Sequence, residues 1–292
     1  MKKSTNARWM LMASMAIFGT LAPFVRRIGV TSGELALYRA VMAASLIAVF
    51  LLVTKQKIPL AAIKKEIPLL LLSGMAMGFN WILLFQAYKL TTVSVATLSY
   101  YFAPIIVTVL CPILFRERLT KKQIICFVMS TLGLVMITGI DNLSGGSRNF
   151  IGILFGLGAA VFYASVILMN KFIKNVAGIH RTFLQFLSAI VVLIPYVTFT
   201  GGTTLGQLNS AGWVNLLIVG LVHTGITYCM YFSALKELPG QKAAILSYID
   251  PLVAVLISVT ILGEQMTLLQ LFGGILILGF TLWNEISPKK AA

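Results

Sequence analysis

The sequence predicts an all-α integral membrane protein with ten transmembrane helices, arranged as two inverted five-helix repeats. Composition and internal repetition lead to this prediction. Of the 292 residues, 59% are hydrophobic and only 11% are charged, whereas about 25% of the residues in a soluble domain are charged. A chain of this size has too little interior to hide so much apolar surface from water, but a bilayer accepts it as lipid-facing side chains. The composition therefore excludes a soluble globular enzyme.

Apolar runs long enough to cross a bilayer occur ten times, between breaks that contain charged residues, Pro, Gly or Asn. Each transmembrane helix needs about 20 such residues, so little chain remains for a soluble domain. The first run follows Lys2 and Lys3 as in a signal peptide, but nine runs follow it, and we expect an uncleaved first helix. The predicted spans are 9–27, 33–53, 67–88, 92–114, 121–140, 150–170, 181–200, 211–235, 242–262 and 267–285.

The distribution of the 23 Lys and Arg residues predicts how these spans are oriented. With a cytoplasmic N-terminus, most of them fall in cytoplasmic segments, and the opposite side holds only Arg26, Arg27, Lys89 and Arg148. The positive-inside rule then places both termini in the cytoplasm of a multi-pass protein in the cell (plasma or inner) membrane. Contact with anionic lipid explains the net charge of +15, and no nucleic-acid partner is expected.

The sequence repeats itself after 147 residues without a gap. Unrelated hydrophobic helices would match in Leu, Ile and Val, whereas these matches fall on residues that are uncommon inside spans. Two halves, 1–143 and 144–292, would each hold five helices, and an odd number makes the second half cross the membrane in the opposite sense. Such inverted repeats are typical of alternating-access transporters. The alternative interpretation of the repeat is a duplicated scaffold without transport. The superposed pairs include Gly78 and Gly225, Lys89 and Lys236, Tyr101 and Tyr248, Pro104 and Pro251, and Glu117 and Glu264.

Two matching helix-loop patterns carry a family resemblance. The first runs from Tyr101-x-x-Pro104 to Glu117 and Thr120, the second runs from Tyr248-x-x-Pro251 to Glu264 and Thr267, and Arg39 lies inside the second span. With these features the chain resembles a ten-helix, EamA-type member of the drug/metabolite transporter superfamily along nearly its whole length. The resemblance implies transport of small organic solutes through a central cavity lined by helices 1 to 4 and 6 to 9.

Pro104 and Pro251 fall near the middle of the fourth and ninth spans. Each removes a backbone donor and crowds the carbonyl four residues earlier, at Tyr100 and Ser247. We expect a hinge or a cavity-lining break at both positions. Ordinary curvature is the alternative, because Pro is tolerated in membrane helices.

Two charged residues lie well inside spans. Asp250 is the acidic residue near the centre of a span, so it should face a wet cavity, pair with a cation or be protonated. Its role is either to couple transport to a proton or a substrate, or to support the structure. Arg39 could bind a substrate carboxylate with two hydrogen bonds. Its alternative partners are carbonyls at a helix end or Glu34, although a spacing of five residues puts Glu34 on another face.

Polar and aromatic side chains inside spans complete the set of candidate substrate-binding residues. His223, Thr227 and Tyr231 follow one helix face at i, i+4 and i+8. Polar groups of this kind often serve only to join helices, and the aromatic groups could equally be packing. The candidates are Arg39, Asn80, Tyr101, Tyr163, His223, Thr227, Tyr231, Ser247 and Tyr248.

These features favour a secondary transporter, with export as the expected direction, of small organic metabolites such as amino acids, including aromatic ones. An integral-membrane enzyme or a passive channel is the alternative. An enzyme would need clustered acids, His or Cys, whereas the chain has two His, and Cys111, Cys126 and Cys229 are scattered among spans. No GxxxxGK[ST] motif is present, so gradients must supply the energy. We expect no cofactor and no metal, a small-molecule substrate and membrane lipid as partners, and a monomer as one option.

Overall fold

The computed structural model describes residues 2–58, 63–115, 120–138, 148–176, 178–235, 237–238 and 246–286. Within these ranges the chain is helical and contains no β-strand. Thirteen α-helices are labelled here in chain order: α1 Lys2–Gly19, α2 Leu21–Arg26, α3 Ser32–Val53, α4 Ile67–Leu90, α5 Val93–Tyr100, α6 Ala103–Phe115, α7 Lys121–Thr138, α8 Arg148–Phe172, α9 Gly178–Phe199, α10 Ser210–Leu217, α11 Thr227–Leu235, α12 Ile249–Thr260 and α13 Leu268–Glu285.

Within the described ranges, six stretches are helical, long and apolar enough to cross a membrane, so the chain is a multi-pass membrane protein. They are Asn6–Arg26, Ser32–Val53, Ile67–Leu90, Arg148–Asn170, Gly178–Phe199 and Ser210–Ala234. Shorter apolar helices cover Val93–Val107, Ile249–Thr260 and Leu268–Asn284. These helices begin and end within a few residues of the predicted spans, except the ninth, where residues 239–245 lie outside the described ranges. The predicted positions of Glu117, Lys236 and Lys242 also lie outside them.

Three of the predicted spans are interrupted near their middle. The first is divided at Thr20, between α1 and α2, and the fourth is divided at Tyr101 and Phe102, between α5 and α6. In the ninth, a turn at Tyr248 precedes α12. The breaks precede the two prolines, which then lie in the first turn of α6 and of α12, where a helix has no intrahelical use for the missing N–H.

A π-helix, Ile218–Ile226, continues α10 into α11. The hydroxyls of Thr224 and Thr227 donate to carbonyl oxygens five residues earlier, at 2.8 and 2.7 Å. Gly220 and Gly225 face Met42 and Leu46 of α3 so closely that a Cβ at Gly220 would lie 2.9 Å from the Met42 Cβ. The wide turns therefore bring this segment against α3.

Buried polar side chains join α4 to its neighbours α8 and α9. The Gln185 amide donates to Ser73 Oγ at 2.7 Å and to Asn170 Oδ1 at 2.9 Å, and Ser188 Oγ donates to the Leu71 carbonyl at 2.6 Å. A Cβ at Gly74 would collide with the Gln185 carbonyl oxygen. Small residues with interhelical hydrogen bonds are the usual means of joining helices in lipid, and here they fix the α4–α9 crossing.

A second close crossing joins α7 and α13 at two facing glycines. A Cβ at Gly133 would lie 2.6 Å from the Gly273 carbonyl oxygen, and a Cβ at Gly273 would lie 2.5 Å from the Gly133 carbonyl oxygen. Both distances are shorter than an ordinary carbon-to-oxygen contact of about 3.3 Å. Neither position can accept a side chain without moving the helices apart.

Glu34 and Glu66 attach loops at opposite ends of the bundle. Glu34 forms a capping box with Thr31 at the start of α3 and accepts a hydrogen bond from Thr204 Oγ1 at 2.8 Å. Glu66 accepts from the Lys174 backbone N–H at 3.0 Å and from the Asn175 side chain at 2.9 Å. Glu34 is therefore engaged with a cap and a loop, and it is not the partner of Arg39.

Candidate functional site

A cavity of about 300 Å³ lies where the three broken helices converge with α3, α4, α8 and α11. Gly19, at the end of α1, packs so closely on α12 that a Cβ there would lie 2.6 Å from the Asp250 carbonyl oxygen. Breaks in membrane helices are tolerated where the backbone is buried in protein or lines a cavity. The cavity is lined by Met15, Phe18, Leu21, Arg39, Trp81, Leu84, Tyr88, Thr97, Tyr100, Tyr101, Ala103, Pro104, Tyr163, Ile167, Tyr228, Tyr231, Ser247, Tyr248 and Asp250.

Asp250 lies in the first turn of α12 and accepts a hydrogen bond from Tyr101 Oη at 2.8 Å. The hydrogen bond joins the α5–α6 break to the start of α12. Asp250 therefore lines the cavity beside the hydroxyl of Tyr101.

Arg39 lies in α3 and is only 4% exposed. Its guanidinium carbon lies 4.7 Å from the centroid of the Trp81 ring and 5.3 Å from that of Phe85. Its Nε has no hydrogen-bond partner among the described residues. Aromatic faces therefore support this cation where the sequence suggested a helix-end carbonyl or Glu34.

Aromatic rings form most of the remaining wall. Tyr100 packs on Tyr163 with ring centroids 5.2 Å apart and on Tyr101 at 5.9 Å. On the other side, Phe18 packs edge-on against Tyr228 at 5.2 Å and against Tyr231 at 6.5 Å. Tyrosine offers an apolar ring with a hydroxyl at its tip, so this wall suits a solute that is partly apolar and partly polar.

Three candidates from the sequence have their side chains in hydrogen bonds elsewhere. Asn80 Nδ2 donates to the Ala159 carbonyl at 2.7 Å. His223 Nε2 lies 3.0 Å from Thr20 Oγ1, at the α1–α2 break, and its ring packs on Phe24. The hydroxyl of Thr227 donates to the Val222 carbonyl in the preceding π-helix. Pro251 is buried and is not among the residues that line the cavity. These four residues support the walls, and the other candidates line the cavity.

The cavity also includes residues that sequence reasoning did not select. Tyr88, next to Lys89 at the end of a predicted span, has the pattern of an interfacial aromatic residue, but it is 7% exposed and lines the cavity. Its hydroxyl lies 3.4 Å from Thr97 Oγ1. Met15 and Phe18 are apolar residues of an apolar span, and the packing of α1 against α11 and α12 brings them to the site.

A set of polar contacts that we call the Arg26–Glu264 clamp is attached to the backbone of Tyr88, one of the residues that line the cavity. Arg26 pairs with Glu264, and it donates to the carbonyl oxygens of Tyr88 at 2.9 Å and Thr91 at 2.6 Å. Glu264 also accepts from the Val93 N–H at 2.8 Å. Among the described residues this is the one ion pair, and its side chains are 28% and 10% exposed. The clamp ties α2, the α4–α5 connection and the α12–α13 loop together.

Comparison with known proteins agrees with this architecture. The chain is 29% identical over 277 residues to "Uncharacterized transporter YxxF" of Bacillus subtilis (strain 168), covering 94% of this chain and 88% of the relative. It is 30% identical over 203 residues to an "Uncharacterized transporter" of Archaeoglobus fulgidus, covering 68% and 70%. A solved crystal structure shares the fold with a TM-score of 0.65 and 17% identity, covering 94% of this chain and 95% of that one.

A family model also matches the chain, in two separate segments. The model of the EamA-like transporter family matches residues 6–139 and again 150–284. These two matches cover most of the chain, and the family description and the relatives' names point to transport. By this match, the chain belongs to the EamA-like transporter family.

Proposed function

We propose that the chain is a secondary transporter that exports small organic metabolites, among them amino acids and aromatic ones in particular. The observation that carries this proposal is the aromatic, polar-tipped cavity at which the helix breaks before Pro104 and Pro251 converge. A cavity of about 300 Å³ is at the lower end of the range for small-ligand sites. Family membership supports transport, and the cavity supports small solutes.

Alternating access is the mechanism that this architecture supports. Ten spans in two inverted halves, 1–143 and 144–292, would rock about the central cavity with both termini in the cytoplasm of the cell membrane. The separate matches of the family model to 6–139 and 150–284 are in line with two related halves. So is the position of Tyr101 and Tyr248, which are 147 residues apart in sequence and each lie at a helix break in the cavity wall.

In this mechanism the clamp and Asp250 have distinct roles. The Arg26–Glu264 clamp would close the end of the cavity that the positive-inside pattern predicts to face outside. Asp250 is the proposed coupling group, because its carboxylate faces the cavity and a proton there would change its bond to Tyr101. Pro104 and Pro251 mark the hinges at which half-helices would move.

Transport is tested with the purified full chain in liposomes, without ATP. We expect saturable uptake and counterflow of at least one radiolabelled solute from a panel of amino acids, sugars and nucleosides. Ile167→Trp fills the cavity and should lower the rate at least tenfold, whereas Val161→Trp, on the exposed side of the same helix, should not. The absence of saturable transport for every solute would refute the proposal.

Orientation is tested separately by cysteine labelling with an impermeant maleimide. Leu90→Cys and Glu237→Cys occupy corresponding ends of the two halves, so inversion predicts labelling from opposite sides of the membrane. Labelling of both from one side would refute the inverted repeat and leave transport to be judged by the liposome assay.

A further inference from the structure

Arg39 is a buried cation without a protein anion beside it in the described part of the chain. It is 4% exposed, and its Nε has no hydrogen-bond partner among the described residues. The one ion pair in these ranges joins Arg26 to Glu264. A guanidinium buried in apolar surroundings without an anion is strongly unfavourable, so its retention in a cavity wall points to an anion that comes from outside the chain.

The contacts of Arg39 leave its hydrogen-bonding capacity unused. Trp81 and Phe85 lie at 4.7 and 5.3 Å and stabilise its charge through their ring faces. Ring faces do not satisfy the planar fork of N–H donors, whose geometry matches the two oxygens of a carboxylate. Because Arg39 lines the cavity, a solute inside it can reach these donors.

The acidic group of the same cavity does not supply the missing partner. Asp250 accepts a hydrogen bond from Tyr101 at 2.8 Å and forms no ion pair with Arg39. Tyr100 and Tyr228 lie in the wall of the same cavity as the two charged residues. The cavity thus offers one anchor for an anion and an aromatic surface for an apolar body.

We propose that the solute is a monocarboxylate with an apolar or aromatic body, and that Arg39 binds its carboxylate through two hydrogen bonds. This inference rests on the proposed function, since it takes the cavity to be the transport site. It sets the substrate class apart from sugars, nucleosides and cationic amines, none of which brings a carboxylate to Arg39. An amino group on the solute is compatible with the site and is not required by it.

The first test needs no variant. Isothermal titration calorimetry on the detergent-purified full chain compares 3-phenylpropionate with its uncharged amide and with phenethylamine. A charge-assisted, two-point contact predicts that the carboxylate binds about 10- to 100-fold more tightly than the amide. Equal or tighter binding of the amide or the amine would overturn the proposal.

Three variants then locate the anchor. Arg39→Gln should weaken binding of the carboxylate about 10- to 100-fold and change binding of the amide by less than about twofold. Arg39→Lys keeps the charge but loses the fork, and we expect an intermediate affinity. Arg27→Gln removes an exposed arginine near the clamp and should leave both affinities unchanged.

The results separate this proposal from the proposed function. If Arg39→Gln keeps the preference for the carboxylate at an unchanged melting temperature, Arg39 is not the anchor, while saturable transport of any solute in liposomes would still support a transporter. If Arg39→Gln does not fold, the carboxylate and amide affinities of the unmodified chain and of Arg39→Lys decide whether Arg39 is the anchor. If no solute binds and none is transported, both proposals fail.

Discussion

Replacing Gly133 by Ala should destabilise the crossing of α7 and α13. The added Cβ would lie 2.6 Å from the Gly273 carbonyl oxygen, whereas carbon and oxygen ordinarily approach to about 3.3 Å. The helices must therefore separate by about 0.7 Å at this point, and forced separation of a packed core costs about 1–3 kcal/mol. This cost exceeds the gain of up to about 1 kcal/mol that Ala has over Gly in a helix.

The measurement is thermal unfolding of the detergent-purified chain, followed by fluorescence-detected size exclusion. A shift of about 2–4 °C per kcal/mol, the scale for soluble domains of 150–250 residues, predicts a loss of several degrees for Gly133→Ala and for Gly273→Ala. Gly279→Ala, on the same helix as Gly273, has nothing within 4 Å of its Cβ and should be neutral or stabilising.

The double variant provides a stricter check. The two Cβ atoms would press on the same crossing, so once one has moved the helices apart, the second should add less than its separate cost. A melting temperature of Gly133→Ala at or above that of the unmodified chain would refute the close crossing. Strict additivity would indicate two independent contacts.

Three further changes test other parts of the structure. Asp250→Asn should abolish the dependence of uptake on an imposed pH gradient while counterflow continues, and an unchanged dependence would remove Asp250 as the coupling group. Glu264→Gln removes the charge that holds the clamp. In a chain without native cysteines, a Thr97→Cys reporter should then react several-fold faster with an impermeant maleimide from the outer side than it does with Glu264 present. An equal rate would argue against a gate at this end. Asn80→Ala removes a buried hydrogen bond between helices and should lower the free energy of unfolding by about 1–3 kcal/mol. Asn215→Ala removes an exposed hydrogen bond within one helix and should change it by no more than about 0.5 kcal/mol. Equal effects would contradict the burial of the first bond.

The helix boundaries were predictable because they depend on local sequence. The start of α3 follows the capping pair Thr31 and Glu34, and α13 follows the equivalent pair Thr267 and Gln270. Long apolar runs between charged segments identify helices without any knowledge of their packing. The two halves, the number of spans and the direction of transport stay predictions, since the helices alone do not test them.

The walls of the cavity were predictable only in part. Arg39, Asp250 and several tyrosines were selected because polar groups are uncommon inside apolar runs. The same reasoning also selected Asn80 and His223, whose partners Ala159 and Thr20 are 79 and 203 residues away in sequence. In a helix that is apolar on all sides, periodicity does not tell a cavity-facing position from a helix-facing one. Such distinctions need the packing.

The π-helix before α11 determines which residues of that helix are presented to the solute. A regular α-helix advances by 100° per residue, and the wider turns of a π-helix advance by less. Over Ile218–Ile226 this difference accumulates and turns the residues that follow around the helix axis. The directions in which the Tyr228 and Tyr231 side chains point therefore depend on the π-helix that precedes them. Removing a single residue from that stretch would turn both rings away from the cavity without changing the sequence of α11.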